Sequence, residues 1–191
     1  MLTQYSRVTL RYVSQKWGGL QDSCNRFGDY NLAYAKKLED GSSIWSERHS
    51  VMELWHLNLT DHVPLYKKTS VPVWKFIELA NNRSIHEAEL ILDLEAPERY
   101  EEVKDKLLSR GLEFEAYLTG SRGYHFNAIF RDFPLMSVSR RQQVRKQFIE
   151  YFGCDVLKSS DKTMIALEGA PHWKTGIHKR LEYTNEGDKD E

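Results

Sequence analysis

Residues 88–130 read AELILDLEAPERYEEVKDKLLSRGLEFEAYLTGSRGYHFNAIF, and this stretch decides the fold. AELILDLE (88–95) is a short apolar run closed by acids and then by Pro97, the pattern of a buried strand. Pro97 stands in the first turn of a helix, PERYEEVKDKLLSRG (97–111). Acids crowd its start, Val103, Leu107 and Leu108 recur at helical spacing, and Gly111 stops it. LEFEAYLT (112–119) alternates as a half-buried strand does, GYHFNAIF (123–130) forms a second strand, and TGSRG (119–123) supplies the turn between them. Downstream, residues 137–151 predict a helix capped by Ser137 or Ser139, with Val144, Phe148, Ile149 and Phe152 along one side. Residues 163–167 predict the closing strand.

The order strand, helix, strand, strand, helix, strand is the split βαβ, ferredoxin-like or RRM-like arrangement, so an α/β (α+β) fold is expected. In that arrangement the first and third strands are neighbours at the centre of the sheet, which sets 88–95 against 123–130. Side chains alternate across a sheet, so Asp93 and Glu95 share a face, where His125 can meet them. Residues 1–85 scatter aromatics through mixed patterns and predict only helices near 3–15 and 71–81. No repeat, low-complexity tract or Pro/Gly/Ser-rich linker divides the chain. The expected organisation is one domain over 1–182, with an N-terminal module (1–85), an RRM-like module (86–182) and a polar tail, YTNEGDKDE (183–191).

The 191 residues suffice to bury a core, and 40% hydrophobic with 29% charged residues is the composition of a globular protein, not a disordered one. No run of about 18 apolar residues and no secretory signal pattern is present, so no membrane partner and a cytoplasmic location are expected. Cys24 and Cys154 lie far apart and form no zinc-ligand spacing, so neither structural zinc nor a disulfide is expected. Lys plus Arg number 27 against 28 Asp plus Glu, which gives no global argument for a nucleic-acid partner. Residues 131–182 nevertheless hold ten Lys/Arg against six acids, including the cluster Arg140, Arg141, Arg145 and Lys146. That cluster reads equally well as a solvated face.

Three features carry chemistry. Asp93 and Glu95 close an apolar strand, and carboxylates held together repel unless a cation or proton offsets them. Mg²⁺ answers this simply, because it takes hard oxygen ligands and leaves positions open to phosphates, although acids at an exposed strand end need no metal at all. In TGSRGYHF, Gly120 and Gly123 let a backbone approach a ligand while Ser121, Arg122 and His125 offer donors to phosphate; the alternative is a plain hairpin turn. In EGAPHWKTGIHKR, His172 and Lys174 lie in a glycine-flanked loop that suits a triphosphate, or that is merely a basic surface loop.

Taken in order, DxE, GSRGYH and a later Asp followed by HWKTG resemble the motifs of the archaeo-eukaryotic primase superfamily, most closely its small catalytic primase subunits. AELILDLEA resembles the first motif, and TGSRGYH (119–125) the second, with Thr119 in place of a leading Ser. Cys154-Asp155, Asp161 six positions on and HWKTG (172–176) resemble the third. Upstream, NRFG (25–28) and RHSV (48–51) extend the resemblance, which spans about residues 25–180. Where the family often has basic residues in the strand before HxKTG, this chain has Ala166 and Glu168. It has no zinc knuckle and no extra helical segment, as in a minimal version or an excised catalytic domain.

The resemblance implies an RRM-like palm joined to an N-terminal α/β module, and a DNA primase or primase-polymerase using two Mg²⁺ or Mn²⁺ ions. It assigns the metals to Asp93, Glu95 and Asp155, with Asp161 the alternative third carboxylate, because the Asp155 to His172 interval is one residue short of the family pattern. It assigns NTP or dNTP binding to Ser121, Arg122, His125, His172 and Lys174. The implied partners are a single-stranded DNA template and a large primase subunit or helicase. The alternatives are a polymerase of the same superfamily that only extends ends, and a non-catalytic primase-like accessory module. A generic RNA-binding domain of this fold would want aromatics where this sheet has Asp93, Glu95 and His125.

Overall fold

A computed structural model of the chain describes residues 31–185, and the helix expected near 3–15, Cys24 and NRFG lie outside them. The chain divides into two compact units at Arg83/Ser84.

The described part of the first unit is built from short strands and two short helices. They are β1 (Asn31–Ala33), β2 (Ala35–Lys37), β3 (Ser43–Trp45), β4 (His49–Ser50), α1 (Val51–His56), β5 (His62–Tyr66), β6 (Thr69–Pro72), α2 (Val73–Leu79) and β7 (Asn82–Ser84). β1 pairs antiparallel with β4 and with β7, while β2/β3 and β5/β6 are hairpins. α2 is the helix expected over 71–81, trimmed at its start because Pro72 still belongs to β6. Leu32, Val51, Leu54, Val73, Phe76 and Ile77 form its buried interior.

The second unit follows the reading of 88–130 closely. β8 (Glu89–Leu94) leads through a 3₁₀ turn at Pro97–Arg99 into α3 (Tyr100–Leu108), then β9 (Phe114–Leu118), β10 (Tyr124–Ile129), α4 (Val138–Phe152), β11 (Met164–Ala166) and β12 (Arg180–Thr184). Ser137 caps α4 by accepting from the Arg140 amide, and Gly153 ends it at φ 63°. Leu90, Leu92 and Leu94 of β8, Phe114 and Ala116 of β9, and Phe126 and Ala128 of β10 share one sheet face. They pack with Val103 and Leu107 of α3 and Ile149 and Phe152 of α4. This apolar layer is the palm's core and follows from period 2 in the strands meeting period 3.6 in the helices.

The sheet runs β12-β9-β10-β8, with all neighbours antiparallel. β8 and β10 are adjacent as expected, but β8 is an edge strand of this sheet and not central. The strand expected over 163–167 forms as β11 yet stands outside this sheet. The sheet is completed instead by β12, across from β8, and so Tyr183 and Thr184 are strand residues where a polar tail was expected. Only Tyr183 of β12 packs on the core, so this edge strand shows no apolar run in sequence. No helix among the described residues is long and apolar enough to cross a membrane.

Candidate active site

The candidate site residues on the strands lie on the face of the sheet away from the helices. In register across it stand Asp93 (β8), His125 (β10), Tyr117 (β9) and Leu181 (β12). His125 is buried, and its Nε2 lies 3.4 Å from Asp93 Oδ1. The second carboxylate oxygen of Asp93 lies 3.2 Å from Lys158 Nζ. Burial by itself would raise the Asp93 carboxyl, but the His125 ring and the Lys158 ammonium outweigh it and hold the group at about 2. Burial, reinforced by the nearby Lys179 ammonium, pushes His125 down to about 4 against the pull of Asp93. At neutral pH the pair is therefore an ionised carboxylate 3.4 Å from the Nε2 of a neutral imidazole, whose Nδ1 is buried with no hydrogen-bond partner among the described residues.

The third motif joins this strand end through the backbone. The Asp155 amide donates to the Asp93 carbonyl at 3.1 Å, so the two acids are neighbours although 62 positions separate them. Asp155 Oδ1 accepts from the Leu157 amide at 3.0 Å and caps the 3₁₀ turn Val156–Ser159, which also carries Lys158. Glu95 lies one residue past the end of β8 and is exposed. Asp161 is placed elsewhere, because Arg141 (2.8 Å) and Arg145 both hold its carboxylate.

The glycine turn and the HWKTG loop also meet. Thr175 Oγ1 donates to the Gly120 carbonyl at 2.5 Å, and the His172 amide donates to the Ile177 carbonyl at 2.8 Å. Gly120 has φ 78°, and a Cβ there would stand 2.3 Å from the Ile177 carbonyl oxygen; at Gly123 it would stand 2.3 Å from that of Leu94. The first glycine permits contact with the loop and the second permits contact with β8, so both are demanded by close backbone approach. Ser121, Arg122 and Lys174 are exposed, while His172 is half-buried and lowered in pKa by burial and then by Lys174.

Four residues without a readable motif complete the arrangement. Lys158 is one. Lys179 is buried and donates to the Ala166 carbonyl (3.0 Å) and to Glu168 Oε1 (2.7 Å), which also accepts from Asn127 Nδ2 (3.0 Å). The Ala166 carbonyl and Glu168 carboxylate thus receive a cation from the segment after HWKTG. No local sequence signal announces these pairings, since each joins residues distant in the chain.

The basic cluster on α4 splits. Arg141 and Arg145 are buried, and Arg145 donates to the carbonyls of Glu89 (2.8 Å), His86 (2.7 Å) and Glu87 (2.8 Å). These two arginines clamp the palm together and are not a nucleic-acid surface, whereas Arg140 and Lys146 remain exposed. Cys154 is a free thiol pushed up to about 12 by burial, hence unreactive.

The donor chemistry around Asp93 fits a hard divalent cation: an ionised carboxylate beside a second acid, with a third one residue past the strand end. Among the described residues no three His, Cys, Asp or Glu side chains already converge as a metal-ligand set.

No family model and no curated protein matches the chain. Solved structures do. The crystal structure of primase RepB' matches with a TM-score of 0.57 at 11% identity over 88% of this chain, which spans 56% of the length of that one. The polymerase domain of Mycobacterium tuberculosis ligase D in complex with DNA matches with a TM-score of 0.50 at 13% identity, over 88% of this chain and 79% of that one. This chain shares the fold of these two structures, a primase and a polymerase domain.

Proposed function

We propose that the chain is a primase-polymerase that performs template-dependent nucleotidyl transfer from an NTP or dNTP. One observation carries the reading: three sequence motifs converge through the Asp155–Asp93 backbone bond, the His125–Asp93 contact and the Thr175–Gly120 bond. Asp93, Glu95 and Asp155 would hold Mg²⁺ or Mn²⁺. When bound, the ions supply charge neutralisation for the attacking hydroxyl and the pyrophosphate leaving group. Ser121, Arg122 and Lys174 are exposed and would donate to a triphosphate, and His172 is near enough to Lys174 and Asp93 to feel both charges. His125 faces Asp93 Oδ1 across 3.4 Å and would help to fix the orientation of its carboxylate. The protein's part is to position and to neutralise, since phosphoryl-type transfer asks little covalent chemistry of side chains. A single-stranded DNA template is the partner, with a large primase subunit or helicase supplying affinity that the near-neutral chain lacks.

The test is incubation with single-stranded template, labelled nucleotides and Mg²⁺ or Mn²⁺, with and without an annealed primer. Products without primer are expected for the native chain and none for Asp93→Asn or Asp155→Asn, each shown folded by circular dichroism. Full activity of either variant would overturn the assignment. Products only with primer would favour an end-extending polymerase, the reading that the likeness to a polymerase domain supports.

A further inference from the structure

The Lys158–Asp93 contact has no counterpart among the motif residues. Lys158 is the fourth residue of the segment that begins at Asp155, and its amide donates to the Asp155 carbonyl at 3.2 Å. One turn therefore carries both a candidate metal-holding carboxylate and an ammonium aimed at another. Both side chains of the ion pair are 18% exposed, so the pair is sheltered but reachable by solvent ions. Asp93 Oδ1 faces His125 and Oδ2 faces Lys158, which leaves Oδ2 with the ammonium as its charged partner.

We infer that Lys158 is the resident counter-ion of Asp93 and that a divalent cation entering the site displaces it. The ammonium neutralises Asp93 before metal arrives, and it competes with the metal for the same oxygen. Displacing an ammonium from a partly exposed carboxylate is a modest cost, so the exchange is reversible. Because Asp155 caps the turn that holds Lys158, a shift of this turn moves ligand and counter-ion together. Lys158 is thus a positioning residue that sets the metal affinity of the site. This inference rests on the reading of Asp93 as a metal-holding carboxylate.

The experiment is a Mn²⁺ titration of the folded, nucleotide-free protein, followed by the electron paramagnetic resonance signal of free Mn²⁺. Lys158→Met and Lys158→Gln are expected to bind Mn²⁺ on the order of tenfold tighter than the native chain, with Lys158→Arg within about twofold of it. Unchanged or weaker binding in both neutral variants, with binding lost in Asp93→Asn, would overturn the role of Lys158 and leave the metal reading standing. Native-like binding in Asp93→Asn would overturn the metal reading and this inference with it.

Discussion

The proton state of His125 is open to direct test. Its ring is buried and held down at about 4 from an ordinary 6.5, so acid favours the unfolded chain, where the imidazole is free to charge. The stability due to the neutral ring is complete above pH 6.5 and is lost as pH falls towards 4. A shift of this size at about 1.36 kcal/mol per pKa unit amounts to about 3 kcal/mol. Asp93, held at about 2, stays ionised through this window and contributes its own loss only below it. Urea denaturation at intervals from pH 7.5 to 4 is the assay, comparing the native chain with His125→Gln, which keeps an N–H donor towards Asp93 but has no titrating ring. The native chain should lose about 3 kcal/mol more than the variant over this range. Equal losses, or a His125 ring proton resonance titrating near 6.5, would refute the claim that the Asp93 partner is a neutral imidazole.

Arg145→Met should cost about 3 kcal/mol in urea, because it removes the buried donor to three carbonyls and one of the two guanidinium groups on Asp161, whereas Arg140→Gln on the same helix should stay within about 0.5 kcal/mol. Gly123→Ala places a methyl against the Leu94 carbonyl, so it should cost about 2 kcal/mol or more and loosen the β8–β10 ladder, read as faster amide exchange at Phe126. Thr175→Val removes the bond from the HWKTG loop to Gly120, and should raise KM for the nucleotide several-fold while changing thermal stability by about 1 kcal/mol. An unchanged KM would separate the loop from nucleotide binding.

Between residues 88 and 152 the sequence was legible because the patterns are local. Leu90, Leu92 and Leu94 alternate, Val103 and Leu107 recur at helical spacing, and Gly111 and Gly153 end their helices in the left-handed conformation. The same alternation was enough to put Asp93 and His125 on one face, and the structure sets them directly opposite each other. Beyond Phe152 the patterns fail. β12 is an edge strand with one core-facing side chain, and its composition cannot distinguish it from a tail.

The site divides in the same way. The candidate residues were nameable from sequence because their glycines and clustered donors are local patterns. Which acid stands by Asp93 was decided only by long-range pairing: the Asp155 amide reaches the Asp93 carbonyl, while Arg141 and Arg145 take Asp161. Tertiary structure likewise turned two residues of an apparently basic surface inward and gave Asp93 the Lys158 ammonium. Sequence determined the elements and the chemical types, because both depend on neighbours a few residues apart. Charge partnership depends on which side chains burial brings within a few ångströms, and that is fixed only when the sheet and helices close on one another.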